Sequence, residues 1–328
     1  MQISTRGSGP PLVLIHGWAM HSGLFGSLLD LLAAHRTLHL VDLPGHGRSR
    51  DDASPLDLET CVQAIADATP PAPWLGWSLG GLFALHAALS RPAQVPALAM
   101  LCSTPRFVRA PDWPRGMDVE IFRRFEADLR QDVHATIERF LALETLGCET
   151  ARGNVRELRQ HAFLHGDPAP AALTEGLHLL ENTDLRARLP TLTVPSLWIG
   201  ARRDRLVDPR AVASAAALTP MARHVQLDSG HAPFLTHAEV LANSILAFLN
   251  DVAVTPRIDC PHPDLPPHAG EGAVRSPGEP VEHCLGCAPA KDSNRGAPFE
   301  DCLGGVSAES VVRGEPGKDS VRGEPVEP

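Results

Sequence analysis

The residues most suited to covalent chemistry lie in the run Gly76-Trp-Ser-Leu-Gly80. This run matches the nucleophile-elbow pattern Gly-x-Ser-x-Gly, and it follows a strand-like segment and precedes a helical one, as that turn requires. The sharp turn lifts the Ser78 hydroxyl out of the sheet, and the start of the helix supplies N–H groups and a partial positive charge. The pattern predicts a serine nucleophile at residue 78. The alternative is an ordinary glycine-rich turn between a strand and a helix.

A serine nucleophile requires a base, and the base requires a group that orients it. In proteins with this elbow, the three residues follow one another along the chain as serine, acid and histidine. Asp204 and His231 occur in that order, and each follows a strand-like run. Because catalytic groups gather at the carboxyl ends of parallel strands, this order predicts Asp204 as the orienting acid and His231 as the base. Asp208 is the rival acid.

Attack by a serine on a carbonyl group also creates an oxyanion, which requires two preorganised N–H donors. The expected donors are the backbone N–H groups of Leu79, directly after the nucleophile, and of Trp18, in the loop after the first core strand. His16 in the same loop is an alternative base, although its loop position favours a structural role. This chemistry requires no metal and no cofactor, and we predict neither. Cys284 and Cys287 have zinc-ligand spacing, but no second pair matches them.

A parallel sheet must position these residues, because strand-like apolar runs alternate with helical patterns along the chain. The runs cover residues 12–15, 38–43, 73–77, 97–102, 196–199 and 224–227. Between residues 106 and 189 the alternation stops, and apolar residues recur at helical spacing. We therefore predict an α/β core over residues 1–105 and 190–250, with a helical lid over 106–189.

Residues 251–328 differ in composition from the rest of the chain. They contain 12 prolines and carry a net charge of −7, out of −10 for all 328 residues. Such a segment buries too little apolar surface to offset its ordering entropy, so we predict a disordered tail rich in Pro and Gly. The first 250 residues, at net −3, lack the basic excess of a nucleic-acid-binding protein.

The sequence has no apolar run long enough to span a membrane, and its first residues form no apolar leader. These features predict a cytoplasmic protein, which we expect to be a monomer. The first 250 residues contain three cysteines, Cys61, Cys102 and Cys148, which are far apart in the sequence. This spacing does not indicate a disulfide framework and favours buried, reduced thiols.

Taken together, several segments resemble the α/β-hydrolase superfamily: His16-Gly-Trp18, Asp42-Leu-Pro-Gly-His-Gly-Arg-Ser49, Gly76-Trp-Ser-Leu-Gly-Gly81, Asp204 and Ser229-Gly-His-Ala-Pro-Phe234. Within it, the elbow and the segment Phe140-Leu-Ala-Leu-Glu144, with Thr145 to Arg152 after it, are similar to the family of pimeloyl-[acyl-carrier protein] methyl ester esterases of biotin biosynthesis. The resemblance covers roughly residues 10–250. It implies an α/β-hydrolase fold, a mostly parallel sheet with helices on both faces and a helical lid insertion.

The resemblance also implies an activity and a set of contacts. The activity would be a serine carboxylester hydrolase that cleaves the methyl ester of pimeloyl-acyl carrier protein. Its nucleophile, acid and base would be Ser78, Asp204 and His231. The implied substrate contacts are Trp18, Ser78, Leu79, Phe140, Leu141, Ala142, Leu143, Glu144 and His231. Glu144 departs from the glutamine associated with that lid position.

Acyl carrier protein is the implied partner, with carrier-binding arginines at Arg139, Arg152 and Arg156. If the segment is helical, Arg159 shares a face with Arg152 and Arg156, since the spacing is i, i+4, i+7. Arginine suits an acidic, phosphate-bearing carrier because its fork of donors matches phosphate oxygens. The alternative is a solvated helix face paired with Glu149 and Glu157.

Two other functions remain open from the residues alone. One is a broad-specificity small-ester or acyl hydrolase of the same fold. The other is a ligand-binding protein on a hydrolase scaffold, because a fold does not fix a function. Dehalogenases of this fold are disfavoured, since they need a carboxylate where Ser78 stands.

Overall fold

The computed structural model describes residues 1–144 and 161–254. Seven strands form one sheet: β1 (Gln2–Arg6), β2 (Pro11–Ile15), β3 (Thr37–Asp42), β4 (Trp74–Trp77), β5 (Leu98–Leu101), β6 (Ser196–Ala201) and β7 (Ala222–Leu227). Their spatial order is β1-β3-β2-β4-β5-β6-β7. Every pair is parallel except β1 with β3. This arrangement confirms the predicted α/β fold class and brings the carboxyl ends of the parallel strands to one edge.

The described helices are α1 (Ser27–Ala33), α2 (Leu58–Ala68), α3 (Leu79–Ser90), α4 (Val119–Leu129), α5 (Val133–Glu144), α6 (Pro170–Asn182), α7 (Pro209–Ala217) and α8 (Ala238–Val254). In the core, α1 packs against α8, and α2 packs against α3. The residues of β2 from Leu12 to Ile15 are fully buried, as are the four of β4. Such apolar runs suit central strands that are covered on both faces.

The segment predicted as a lid contains the helices α4, α5 and α6, and no named strand occurs in its described part. Helix α4 packs against both α5 and α6, and α6 also contacts α3 of the core. The apolar stripe of α4 and α5 faces inward at Phe122, Ile137 and Phe140. Burial of this stripe stabilises the helices, because isolated helices of this length are marginal in water.

The predicted tail lies almost wholly outside the described residues. Helix α8 continues to Val254 and so includes the first four residues of the predicted tail, 251–254. Val252 packs against the apolar core, and Arg223 Nη1 of β7 lies 2.6 Å from Asp251 Oδ2, so the core reaches into this stretch. The chain divides into the units Met1–Cys260 and Pro261–Pro328, and the second is outside the described part. None of the described helices is long and apolar enough to cross a bilayer.

Candidate active site

Ser78 occupies a strained turn between β4 and α3. Its backbone lies at φ 52° and ψ −120°, in the left-handed half of the map that side chains avoid. The flanking glycines are required by close packing: a Cβ on Gly76 would lie 2.3 Å from the Gly80 carbonyl oxygen, and one on Gly80 would lie 2.3 Å from the Ile15 carbonyl oxygen. The local sequence thus forms the predicted elbow.

Ser78, His231 and Asp204 form a continuous hydrogen-bonded relay. His231 Nε2 lies 2.9 Å from Ser78 Oγ, and His231 Nδ1 lies 2.8 Å from Asp204 Oδ2. The imidazole is 1% exposed and Ser78 is 5% exposed, so bulk water competes little for these bonds. The tautomer with the proton on Nδ1 satisfies both contacts, since Nδ1 then donates to the carboxylate and Nε2 accepts from the hydroxyl. The three residues predicted from chain order therefore meet in space.

The acid of this relay is held by its own loop. Asp204 Oδ1 accepts hydrogen bonds from the backbone N–H groups of Leu206 at 2.8 Å and Val207 at 2.9 Å. These bonds leave Oδ2 directed to His231. The rival acid Asp208 instead caps the start of α7, where it accepts from the Arg210 N–H at 2.8 Å and pairs with the Arg210 guanidinium. The geometry favours Asp204 over Asp208 as the orienting acid.

The base is fixed from a second side by Trp77. Its indole Nε1 donates to the His231 carbonyl at 3.0 Å, and the two rings lie 5.8 Å apart between centroids. Trp77 also packs edge-on against Phe234, just beyond His231 in the chain. Sequence reasoning did not identify this contact, because residues 77 and 231 are distant in the chain.

Both predicted oxyanion donors lie beside the nucleophile. Leu79 is the first residue of α3, and the N–H groups of the first helical turn have no intrahelical partner. The loop that carries Trp18 runs directly against the elbow, since a Cβ on Gly17 would lie 3.2 Å from the Ser78 Cβ. The Trp18 indole Nε1 donates to the Leu173 carbonyl of α6 at 2.8 Å. The loop of residues 16–18, called the oxyanion loop below, is therefore hydrogen-bonded to the lid. The sequence did not indicate this contact.

His16, the alternative base, is fully occupied by the backbone. Its Nε2 accepts the Leu43 N–H at 3.0 Å, and its Nδ1 donates to the Gly17 carbonyl at 2.7 Å. The ring lies 5.3 Å from that of His46, which is also fully buried. These contacts support the structural role expected for His16, which fixes the oxyanion loop against the strand β3.

Burial of these two imidazoles predicts acid-sensitive stability. Desolvation lowers the pKa of His16 to about 3 and that of His46 to about 4, against about 6.5 in an unfolded chain. Below about pH 6.5 the unfolded state binds more protons, so the free energy of unfolding falls by up to about 1.4 kcal/mol per pH unit for each buried histidine. This loss continues down to the folded pKa values.

Denaturant unfolding between pH 7 and pH 4.5 measures this effect. In the His46→Gln variant, the free energy of unfolding should fall less steeply with decreasing pH, by the contribution of one buried histidine. This holds whatever the stability of the variant at pH 7. His35→Gln, at an exposed position, is the matched control and should keep the wild-type slope. An unchanged slope in His46→Gln would contradict the assignment of acid sensitivity to this cluster.

An apolar pocket opens beside Ser78. It is lined by Trp18, Ser78, Phe107, Met117, Phe122, Phe125, Phe140, Leu177, Leu180 and Leu206. Trp18 and Phe140 meet edge-on with 4.8 Å between ring centroids, so the oxyanion loop and α5 touch at this wall. The cavity holds about 30 Å³, room for one or two water molecules, so a longer ligand requires the lid helices to separate. Apart from Phe140, Trp18 and Ser78, sequence reasoning did not identify this lining.

Comparison with known proteins places this geometry in a family. Residues 10–238 match the family model described as the α/β hydrolase fold. The chain is 54% identical over 253 residues to the pimeloyl-[acyl-carrier protein] methyl ester esterase of Xanthomonas oryzae pv. oryzae strain MAFF 311018. The alignment covers 77% of this chain and 100% of the relative. The esterase of the same name from Stenotrophomonas maltophilia K279a is 54% identical over 250 residues. That alignment covers 76% of this chain and 96% of the relative.

This chain belongs to the pimeloyl-[acyl-carrier protein] methyl ester esterase family of α/β hydrolases. The resemblance drawn from its motifs is confirmed. Solved structures agree on the fold. An esterase from Exiguobacterium antarcticum superposes with a TM-score of 0.70 at 22% identity, covering 76% of this chain and 94% of that one. The enol-lactonase of Burkholderia xenovorans LB400 superposes with a TM-score of 0.67 at 19% sequence identity. The superposition covers 76% of this chain and 96% of the lactonase.

One residue of the predicted substrate segment is a buried acid. Glu144, at the end of α5, is fully buried, and neither carboxyl oxygen has a hydrogen-bond partner among the described residues. Burial, together with the nearby charge of Asp204, raises the pKa of Glu144 well above its usual value. Within the predicted substrate segment, Phe140 lines the pocket, whereas Glu144 lies near Asp204 and outside the pocket lining.

Arg139 is the one predicted carrier-binding arginine within the described residues. Its side chain is 54% exposed, lies 3.1 Å from the carboxylate of Asp128 on α4 and donates to Thr136 Oγ1. Arg152, Arg156 and Arg159 lie outside the described part, as do Glu149 and Glu157, their alternative partners. Arg139 thus lies on the exposed face of the helix that carries Phe140, where it pairs with Asp128.

Proposed function

We propose that this esterase cleaves the methyl ester of pimeloyl-[acyl-carrier protein], releasing methanol and the free pimeloyl carboxylate on its carrier, in biotin biosynthesis. The observation that carries the proposal is the buried relay from Ser78 through His231 to Asp204 at the base of an apolar pocket. The shared name of the relatives that are 54% identical over nearly their full length supports the substrate.

The relay supports a two-step acyl transfer. Ser78 Oγ attacks the ester carbonyl while His231 Nε2 takes the hydroxyl proton, and Asp204 stabilises the resulting imidazolium. The N–H groups of Leu79 and Trp18 hold the oxyanion. His231 then protonates the departing methoxide, so methanol leaves and an acyl-serine remains. Water attacks the acyl-serine with His231 again as base, which restores Ser78 and gives the carboxylic acid.

The pocket lining explains why a methyl ester suits this site. Aromatic and aliphatic side chains favour a methylene chain that ends in an uncharged ester. Hydrolysis converts that end into a carboxylate, which pays a desolvation penalty in apolar surroundings unless it is paired. The product is therefore bound less well than the substrate, which favours its release.

The carrier would dock on the lid through arginines. Exposed Arg139, followed in the sequence by Arg152, Arg156 and Arg159, offers positive charge to an acidic partner that carries a phosphate. The expectations of a cytoplasmic location and a monomeric state remain predictions.

Arg139→Glu tests this docking surface. The substitution should lower kcat/KM for the carrier-bound ester at least about tenfold, since facing like charges cost a kcal/mol or more. Hydrolysis of p-nitrophenyl acetate should change little. Arg223→Glu, which breaks a comparable exposed ion pair on β7, is the matched control. Equal losses on both substrates would indicate damage to the lid, and no loss on either would leave Arg139 as an ordinary surface residue.

Comparative kinetics test the substrate assignment. We expect kcat/KM for the methyl ester of pimeloyl-carrier to exceed that for the same ester without its carrier and for p-nitrophenyl acetate. A broad-specificity hydrolase would treat the three esters alike. A binding protein on this scaffold would turn over none of them and would leave Ser78 unlabelled by a fluorophosphonate.

A further inference from the structure

Cys102 follows β5 directly and lies next to the elbow. Its backbone is held at φ 45°, and its N–H donates to the Ile199 carbonyl of β6 at 2.8 Å. The adjacent Ser103 Oγ donates to the Ser78 carbonyl at 2.7 Å. The Cys102 side chain is fully buried, as expected from the sequence for this cysteine. The end of strand β5 thus places a sulfur atom in the interior of the site.

Three side chains of different chemistry converge at this point. The sulfur of Cys102, a carboxylate oxygen of Asp204 and a ring nitrogen of His231 all lie within 4.8 Å of one another, and all three residues are buried. Ligand atoms around a tetrahedral zinc ion, at bond lengths of about 2.0 to 2.3 Å, are separated by about 3 to 4 Å. A contraction of roughly 1 Å brings this group to ligand geometry.

A buried carboxyl group lies near one of these three side chains. Glu144 is fully buried near Asp204, and both of its oxygens lack hydrogen-bond partners among the described residues. A carboxyl group in such surroundings is stabilised when positive charge comes close. Glu144 is not one of the three converging residues, but a cation bound to them would lie near its carboxyl group.

We propose that Cys102, Asp204 and His231 form an inhibitory site for Zn²⁺ or a similarly soft divalent cation. The proposal rests on the catalytic roles proposed above for Asp204 and His231. Three protein ligands leave one tetrahedral position open, which water or Ser78 Oγ can occupy. Binding releases the thiol proton of Cys102 to solvent and involves no change of oxidation state.

The bound metal prevents His231 from acting as a base, whichever ring nitrogen it binds. If it binds Nε2, the lone pair that accepts the Ser78 proton is used. If it binds Nδ1, the ring proton moves to Nε2, which then donates to Ser78 and cannot accept from it. In both cases the Asp204 carboxylate is also drawn from its hydrogen bond with His231. Ester hydrolysis stops while the fold stays intact.

The donor set predicts which ions inhibit. A thiolate with an imidazole and one carboxylate suits Zn²⁺, Cd²⁺ and Co²⁺, whereas Mg²⁺ and Ca²⁺ prefer oxygen ligands only. Millimolar Mg²⁺ or Ca²⁺ should therefore leave the rate unchanged at concentrations where Zn²⁺ abolishes it. EDTA should restore activity in full, which distinguishes binding from oxidation of the thiol.

The test compares Zn²⁺ inhibition of p-nitrophenyl acetate hydrolysis across full-length variants. Inhibition of each variant is measured relative to that variant's own metal-free rate. Cys102→Ser should raise the Zn²⁺ concentration for half inhibition more than about tenfold, since losing even an outer-shell partner costs tenfold or more in affinity. Cys61→Ser is the matched control, as Cys61 is also buried and is not one of the three converging residues. A variant with Ser at Cys260, Cys284, Cys287 and Cys302 controls for metal bound by the C-terminal segment.

Co²⁺ provides a readout that does not depend on activity. The wild type should show a thiolate-to-cobalt charge-transfer band, which Cys102→Ser should abolish and Cys61→Ser should keep. Equal Zn²⁺ sensitivity in wild type and Cys102→Ser, or a cobalt spectrum unaffected by Cys102→Ser, would overturn the proposal. If the metal-free wild type hydrolysed no ester, the proposed function would fail, while the cobalt spectra would still decide on the metal site.

Discussion

Replacing Ser78 by alanine is expected to reduce ester turnover by a factor of about 10⁶, as for other serine nucleophiles that act within a triad. The reason is geometric, because Ser78 Oγ lies 2.9 Å from His231 Nε2 and Ser78 lines the pocket. Steady-state turnover of p-nitrophenyl acetate and of the carrier ester measures the loss.

A matched serine elsewhere on the same helix controls for non-specific effects. Ser90, at the far end of α3, is exposed and its hydroxyl donates only to the His86 carbonyl. Ser90→Ala should keep the wild-type rate. A Ser78→Ala protein that folds normally yet keeps more than a tenth of the wild-type turnover would show that another group is the nucleophile.

The second large effect concerns the acid. Asp204→Asn is expected to lower kcat by a factor of about 10⁴, because an amide at this position favours the wrong tautomer of the catalytic histidine. Asp208→Asn is the natural control, since it is four residues away and also removes a carboxylate. Asp208 caps α7 and pairs with Arg210, and asparagine is itself a good N-cap, so both turnover and fold should be kept.

The pair of variants is decisive because both carboxylates lie in one loop and only Asp204 of the two contacts His231 in the structure. A large loss in Asp208→Asn with near-normal turnover in Asp204→Asn would move the acid to Asp208. Comparable small losses in both would indicate that His231 is oriented mainly by Trp77 and its own loop.

The relay was predictable from sequence because its signals are local and ordered. The elbow depends on Gly76 and Gly80, whose Cβ atoms would overlap neighbouring backbone, so the pattern itself encodes the turn. The acid and the base each follow a strand-like run, and parallel strands bring such positions to one edge. The central strands were likewise recognisable, since burial on both faces leaves continuous apolar runs.

Other features depend on contacts between distant residues. β1 was not predicted, because it is an edge strand with exposed or half-buried residues and therefore lacks a buried apolar run. The bond from Trp18 Nε1 to the Leu173 carbonyl spans 155 residues and leaves no local pattern. The pocket residues Phe107, Met117 and Leu206 come from loops around the lid, where burial follows from the fold.

The burial of Glu144 was also not predictable from its residue type. A glutamate at the end of a helix ordinarily suggests a solvated side chain. Only the structure shows that the carboxyl group is buried near Asp204 and has no hydrogen-bond partner in the described part of the chain. The same holds for Cys102, whose approach to the relay follows from the register of β5 beside β6.

The most direct measurement of the central claim is methanol release from methyl-pimeloyl-[acyl-carrier protein], followed together with the mass of the carrier. We predict that the wild type releases one methanol for each carrier converted, that the carrier mass falls by one methylene while the thioester stays intact, and that Ser78→Ala releases none above background. Cleavage at the thioester, no methanol from the wild type, or equal release by Ser78→Ala would contradict the account.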